Sequence, residues 1–316
     1  MTQESKNQAF IEPLFSSAFP RIFGKEESKE VTRSLVNAVL ERIGMEPIAK
    51  IDEISSEHTA TEGSVNCKMP RMDVRIVAAE RVLDLEAQRY PEDVGNRSMF
   101  YAAQLISENT PAGATYKEIP QAIVITLLDT RPKFPETEEF VHTCRMHWEL
   151  GRQFGEETRG TDRMLLVLVE LGKVRERYNE LTEEVLADDL LSWAYLLTKG
   201  YREPKEVERI MVEIPPIEHF AELYGLAVDD PKVKWAYEDA ISAEREYQSR
   251  QDYFDRLERE AAEKGLEQGL EQGLKQGVER GIEQGVKRMV ENLRAAGIDE
   301  AVIEAAAAKA RTSIGE

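Results

Sequence analysis

The run Arg71-Met72-Asp73-Val74-Arg75-Ile76-Val77-Ala78, continued after Ala79-Glu80 by Arg81-Val82-Leu83-Asp84-Leu85-Glu86-Ala87-Gln88, decides the fold of this chain. Met72, Val74 and Ile76 alternate with Arg71, Asp73 and Arg75, the two-residue period of a strand with one apolar face. Val82–Gln88 reads as a second strand and Ala79–Arg81 as a short connection, so the two form a hairpin. Further on, Ile119–Leu128 carries the run Ile123, Val124, Ile125, Leu127 and Leu128. Such a run is a strand buried on both faces, at the centre of an α/β sheet.

Outward from these strands the pattern is helical. Val31, Leu35, Val39 and Ile43 recur every four residues and predict a helix over Glu26–Ile43, and Gly95–Glu108 predicts another. The stretch Asp52–Pro70 is polar and turn-rich. After Pro135 the chain reads as almost entirely helical, with Pro204 and Pro215-Pro216 as breakers. The expected order is therefore an α-β-β-α-β core over residues 1–135, a helical extension over 136–243, and a charged helical tail over 244–316.

Composition narrows the function classes. The chain has 316 residues, 41% hydrophobic and 32% charged, which suits a soluble globular protein. No apolar run approaches the roughly 20 residues that span a bilayer, so no membrane partner is expected. No signal-peptide core follows Met1–Lys6, which points to the cytoplasm. Cys67 and Cys144 have no metal-ligand pairing and read as reduced, small core residues. The net charge of −19 opposes nonspecific nucleic-acid binding, which needs a basic surface. The acidity is uneven: residues 1–130 hold 14 Lys and Arg against 20 Asp and Glu, the remaining 186 hold 27 against 40.

Period two places Asp84, Glu86 and Gln88 on one face of the second strand, with Leu83, Leu85 and Ala87 on the other. If Asp73 lies across the hairpin from Glu86, two carboxylates converge and repel. A divalent cation relieves that repulsion, and Mg²⁺ suits the place because it takes one or two carboxylates and keeps positions for water and phosphate. Metal-bound water is a stronger nucleophile, and the metal neutralises charge on a phosphate. Acidic residues on a solvated sheet face explain Asp84 and Glu86 as well, and a salt bridge to Arg71 or Arg75 explains Asp73. Arg97 and Tyr101, four apart, share a helix face and reach either a phosphate or only each other. His142 and His147, five apart, do not align on a helix and read as packing or surface residues. Trp193 and Tyr195 read as helical core. The sequence has no glycine-rich phosphate loop, nucleophile elbow or zinc-type Cys/His cluster.

Gly265, Gly269, Gly273, Gly277, Gly281 and Gly285 form a repeat of period four, followed by Leu266, Leu270, Leu274, Val278, Ile282 and Val286. Each interior glycine costs a helix roughly 1 kcal/mol relative to alanine. Close approach of a partner helix would offset this, so Gly265–Val290 is expected to dock or self-associate, with a frayed solvated tail as the alternative.

The ordered segments Arg21-Ile22-Phe23-Gly24, Ser34–Leu40, Asp73-Val74-Arg75 and Leu85-Glu86-Ala87-Gln88 resemble the PD-(D/E)XK nuclease family transposases, also called recombination-promoting nucleases. The resemblance continues through Arg97 with Phe100-Tyr101, Tyr116 with Ile119-Pro120, Glu170-Leu171-Gly172-Lys173 and Trp193–Leu197, covering about residues 15–200 and the glycine repeat. It implies a restriction-endonuclease-like α/β core, a mixed sheet flanked by helices, then the helical extension and long C-terminal helix. It implies a Mg²⁺-dependent DNA endonuclease with Asp73 and Glu86 as metal ligands and Gln88 in place of the lysine of related nucleases. Two departures stand out. Ser16 occupies a position where the family often has Asp, and Pro20 one where it has Lys. A first-helix acid, if required, would come from Glu26, Glu27 or Glu30, with Glu27 best placed. The rival expectation is a catalytically silent nuclease fold serving as an oligomeric DNA-binding or protein-interaction module.

Overall fold

Six strands build one mixed sheet in the order β1-β2-β3-β4-β6-β5 in the computed structural model of the chain, which describes residues 11–59, 71–89, 93–149 and 157–312. They are β1 (Glu53–Thr59), β2 (Arg71–Ala78), β3 (Arg81–Gln88), β4 (Gln121–Leu128), β5 (Val141–Glu149) and β6 (Glu157–Glu170). The first three form an antiparallel meander, β3, β4 and β6 run parallel, and β5 returns antiparallel along the far edge. Before the sheet come α1 (Phe19–Phe23) and α2 (Lys29–Arg42), and α3 (Val94–Asn109) crosses from β3 to β4. Parallel neighbours need such a crossover, and it covers the face it spans.

The parallel centre explains the burial. Leu83, Leu85, Ile123, Ile125, Leu165 and Val167 point to one face, against Phe19, Phe23, Leu35, Val39 and Trp193. Val82, Ala122 and Val124 point to the other, against Tyr101, Ala102 and Leu105 of α3. Trp193 and Tyr195 are buried on α6 (Asp189–Thr198), which follows α4 (Leu171–Arg177) and α5 (Glu183–Leu186). Then come α7 (Pro204–Glu213), α8 (Pro216–Asp229), α9 (Pro231–Ala295) and α10 (Glu300–Thr312). The prolines at 204 and 216 stand at the first positions of their helices, where the missing N–H has no partner to lose.

Three sequence expectations are corrected. Residues 53–59 are a strand, not a turn region; β1 is an edge strand, so its sequence need not show the alternation of a half-buried one. The chain beyond Pro135 is not almost entirely helical, because β5 and β6 complete the same sheet and no break in it falls at residue 135. The run Met164–Val169 of β6 is too short for periodicity to separate a buried strand from a buried helix. Cys144 lies on edge strand β5 and is free and exposed rather than core; Cys67 and Pro70 fall outside the described residues.

The chain forms two compact units, 1–240 and 241–316. Within the second, α9 ends at a turn with Gly297 at φ +73°, and Arg294 pairs with Glu300 of α10. Val286 and Ile303 are buried there. Apart from the adjoining residues and the helix's own backbone, no atom of the chain lies within 4 Å of where a Cβ would stand on any glycine of the repeat. Leu266, Leu270, Leu274 and Val278 are exposed beside them.

Candidate active site

The β2–β3 register runs to Val74 opposite Leu85, and one further step sets Asp73 opposite Glu86. At that step side chains replace the backbone ladder. The Asp73 amide donates to Glu86 Oε1 at 2.8 Å, and the Ala87 amide donates to Asp73 Oδ2 at 3.1 Å. Each carboxylate thus accepts from the opposite strand, which fixes both on one face at the end of the hairpin ladder. Gln88 Nε2 donates to Glu86 Oε2 at 2.8 Å. From α3, Arg97 donates through Nη2 to Glu86 Oε2 at 3.4 Å, through Nη1 to Gln88 Oε1 at 3.2 Å, and through Nε to the Tyr101 hydroxyl at 2.9 Å. Its guanidinium lies 5.3 Å from the centroid of that ring.

Asp73, Glu86, Gln88, Arg97 and Tyr101 are therefore one connected group. Glu27 is not part of it: its exposed side chain lies 3.7 Å from Lys25, and its carbonyl accepts from His219 of α8. His142, on a strand rather than a helix, contacts Glu170 Oε2 at 2.8 Å and packs against the Phe134 ring. The buried Glu170 also bonds Lys173 and the amides of Lys133 and Phe134, so this cluster fastens the loop before β5.

Asp84 departs from the solvated sheet face that its sequence suggests. It shares the face of Glu86 but is fully buried under α3, not solvated, and neither carboxylate oxygen has a hydrogen-bond partner. The signal was present: a parallel β3–β4 pair demands a crossover helix, and that helix removes water from the face. Ser98 of α3 and Thr126, the β4 neighbour of Glu86, form a buried hydroxyl pair at 3.1 Å beside it.

Electrostatics follow from this burial. Loss of water, then the charge of Asp73, pushes the Glu86 carboxyl up to about 8. Burial and the charges of Glu86 and Asp73 hold Asp84 well above the usual carboxylate range. Burial and the Glu86 charge push Tyr101 to about 12, so its hydroxyl keeps its proton. Three carboxylates face one guanidinium, and the orphaned Asp84 oxygens lie among them. That donor chemistry fits a hard divalent cation. Among the described residues, no three His, Cys, Asp or Glu side chains are already arranged as a metal cage.

The family model for PD-(D/E)XK nuclease family transposases matches residues 13–253. The chain belongs to that family. The six-stranded mixed sheet flanked by helices is the fold expected of a PD-(D/E)XK transposase-family protein, and the match runs from just ahead of α1 into α9. No curated protein and no solved structure matches the chain. A PD-(D/E)XK family member has a nuclease-like or transposase-associated role, its substrate class is DNA, and nucleases of this kind generally use divalent metals. Among the described residues, no helix of this family member is long and apolar enough to cross a membrane.

Proposed function

We propose that the protein is a Mg²⁺-dependent DNA endonuclease that hydrolyses phosphodiester bonds in recombination or mobile-element transactions in the cytoplasm. The observation that carries this reading is the reciprocal Asp73–Glu86 arrangement, two carboxylates held on one face where the hairpin ladder ends. Asp73 and Glu86 would hold the cation, which when bound supplies an acidified water and neutralises charge on the phosphate. The chain's own groups do the rest. Gln88 orients water or a phosphate oxygen through its amide, and Arg97, carried on the Tyr101 ring, reaches the phosphate as an accessory group. The α3 helix keeps bulk water from the carboxylates, which strengthens every charge interaction there.

Plasmid nicking in Mg²⁺ against EDTA tests the reading, with Asp73→Ala alongside. Nicking that survives EDTA or the substitution would sink it.

A second reading has its own support. Gln88 stands where related nucleases have lysine, its amide is engaged by Glu86, and the chain carries −19 net charge. These favour a silent nuclease fold acting as an oligomeric DNA-binding or interaction module. In either case the exposed Gly–aliphatic ridge of α9 is proposed as a self-association surface, making a homo-oligomer. Of the division expected from sequence, we keep 244–316 as the proposed self-association helix and propose that the nuclease-like core runs on past residue 135 through β6, with the helical extension after it.

A further inference from the structure

Glu86 already has a positive partner. Arg97 Nη2 lies 3.4 Å from its Oε2, the same oxygen that accepts from Gln88 Nε2 at 2.8 Å, while Oε1 accepts from the Asp73 amide. The two ends of the pair differ in access: the Glu86 side chain is 2% exposed and that of Arg97 45%. Among the described residues, the directed contacts of the guanidinium are to the site residues Glu86, Gln88 and Tyr101.

A cation taking Glu86 Oε2 as a ligand competes with the two donors on that oxygen, and it brings two positive charges beside a third. Like charges at such separation repel, more strongly where water is excluded. Arg97 can retreat because its side chain is nearly half exposed and its guanidinium keeps the Tyr101 ring as a platform. A guanidinium released there presents a planar fork of N–H donors, which matches phosphate geometry.

We propose that Arg97 is an exchangeable counter-ion: it pairs with the ionised Glu86 carboxylate of the metal-free protein, is displaced when a divalent cation binds, and then engages the DNA phosphate. The exchange orders the events, cation before phosphate, and it rests on the metal-site reading of Asp73 and Glu86 given above. Arg97 acts on the cation through Glu86 and is a positioning residue in that step.

The test needs no DNA and no turnover. Mn²⁺ binding to the full chain is followed by electron paramagnetic resonance at pH 8 for wild type, Arg97→Gln, Arg97→Lys and Asp73→Ala. Arg97→Gln removes the competing charge and should bind Mn²⁺ about fivefold more tightly, a change of about 1 kcal/mol. Arg97→Lys keeps the charge and should stay within about twofold of wild type. A merely bracing arginine would give unchanged or weaker binding in Arg97→Gln, and that result overturns the exchange. Equal tightening in Arg97→Gln and Arg97→Lys overturns it as well, since charge would not be the cause. Asp73→Ala separates the two levels: if it leaves Mn²⁺ affinity intact, the metal-site reading itself fails, whereas its loss alongside an unchanged Arg97→Gln removes only the exchange. Should Arg97→Gln not fold by circular dichroism, the wild type answers alone. Saturating Mg²⁺ should shift the Arg97 Nε–H resonance away from its Tyr101-bonded position, and a resonance that stays fixed refutes the displacement.

Discussion

Glu86→Gln should stabilise the metal-free protein at alkaline pH and leave its stability nearly unchanged at acid pH. The wild-type carboxyl is held at about 8, against its ordinary value of 4.5, by burial and by the charge of Asp73. A raised carboxylate binds its proton more tightly in the folded state. Stability is therefore full below about pH 4.5, falls as pH rises towards 8, and levels off above it. The complete difference corresponds to roughly 5 kcal/mol. Half-exposed Arg97 leaves the site edge open to water, so about 2 kcal/mol is the expected gain for the amide at pH 9. Gln keeps an oxygen that accepts from the Asp73 amide, which limits the cost of the change. The carboxyl of Asp84 should fall towards its ordinary range in the variant, because Glu86 is the first charge acting on it. Urea denaturation in EDTA at pH 5, 7 and 9 measures this. Parallel curves for the two proteins across that range, or a variant less stable at pH 9, would refute the buried-repulsion account. The same variant should have lost its Mg²⁺-dependent nicking, so stability and activity move in opposite directions.

Asp73→Ala should abolish Mg²⁺-dependent nicking while circular dichroism stays native, since removing one of two repelling carboxylates relieves strain; residual nicking at the wild-type rate would place the chemistry elsewhere. Gln88→Lys should retain or raise nicking, because lysine fills this position in related nucleases; complete loss would tie function to the amide. Gly172→Ala should cost about 2–3 kcal/mol in thermal or urea unfolding, because the new Cβ would stand 2.0 Å from the Thr130 carbonyl oxygen at the start of α4; a neutral result would mean that this backbone contact relaxes freely. Replacing alternate glycines of the 265–285 repeat by leucine should raise helicity by about 1 kcal/mol per site yet weaken self-association. Sedimentation checks it against a chain ending at Glu263, and identical mass for wild type and truncation rules out assembly through the tail.

Periodicity made the hairpin, β4, α2 and α3 legible, because each buries an apolar pattern characteristic of its geometry. The same signal lost β1 and β5, which lie on sheet edges, and β6, whose short apolar run suits a buried helix equally well. The shared face of Asp84, Glu86 and Gln88 was readable from period two, but the pairing of Asp73 with Glu86 was only a condition, since Ala79–Arg81 read as the connection and the two-residue Ala79-Glu80 turn that sets the register appears in the structure. What the sequence could not give was the environment of that face. Asp84 and Glu86 look solvated until α3 is placed over them, and only then do their raised protonation and the orphaned Asp84 oxygens follow. Arg97 is nine residues beyond Gln88, and its contact with Glu86 depends on where the crossover helix comes down on the sheet. Local chemistry thus determined which groups face each other across adjacent strands, whereas the packing of helix on sheet decided which of them lose water, and with it their charge state and their partners.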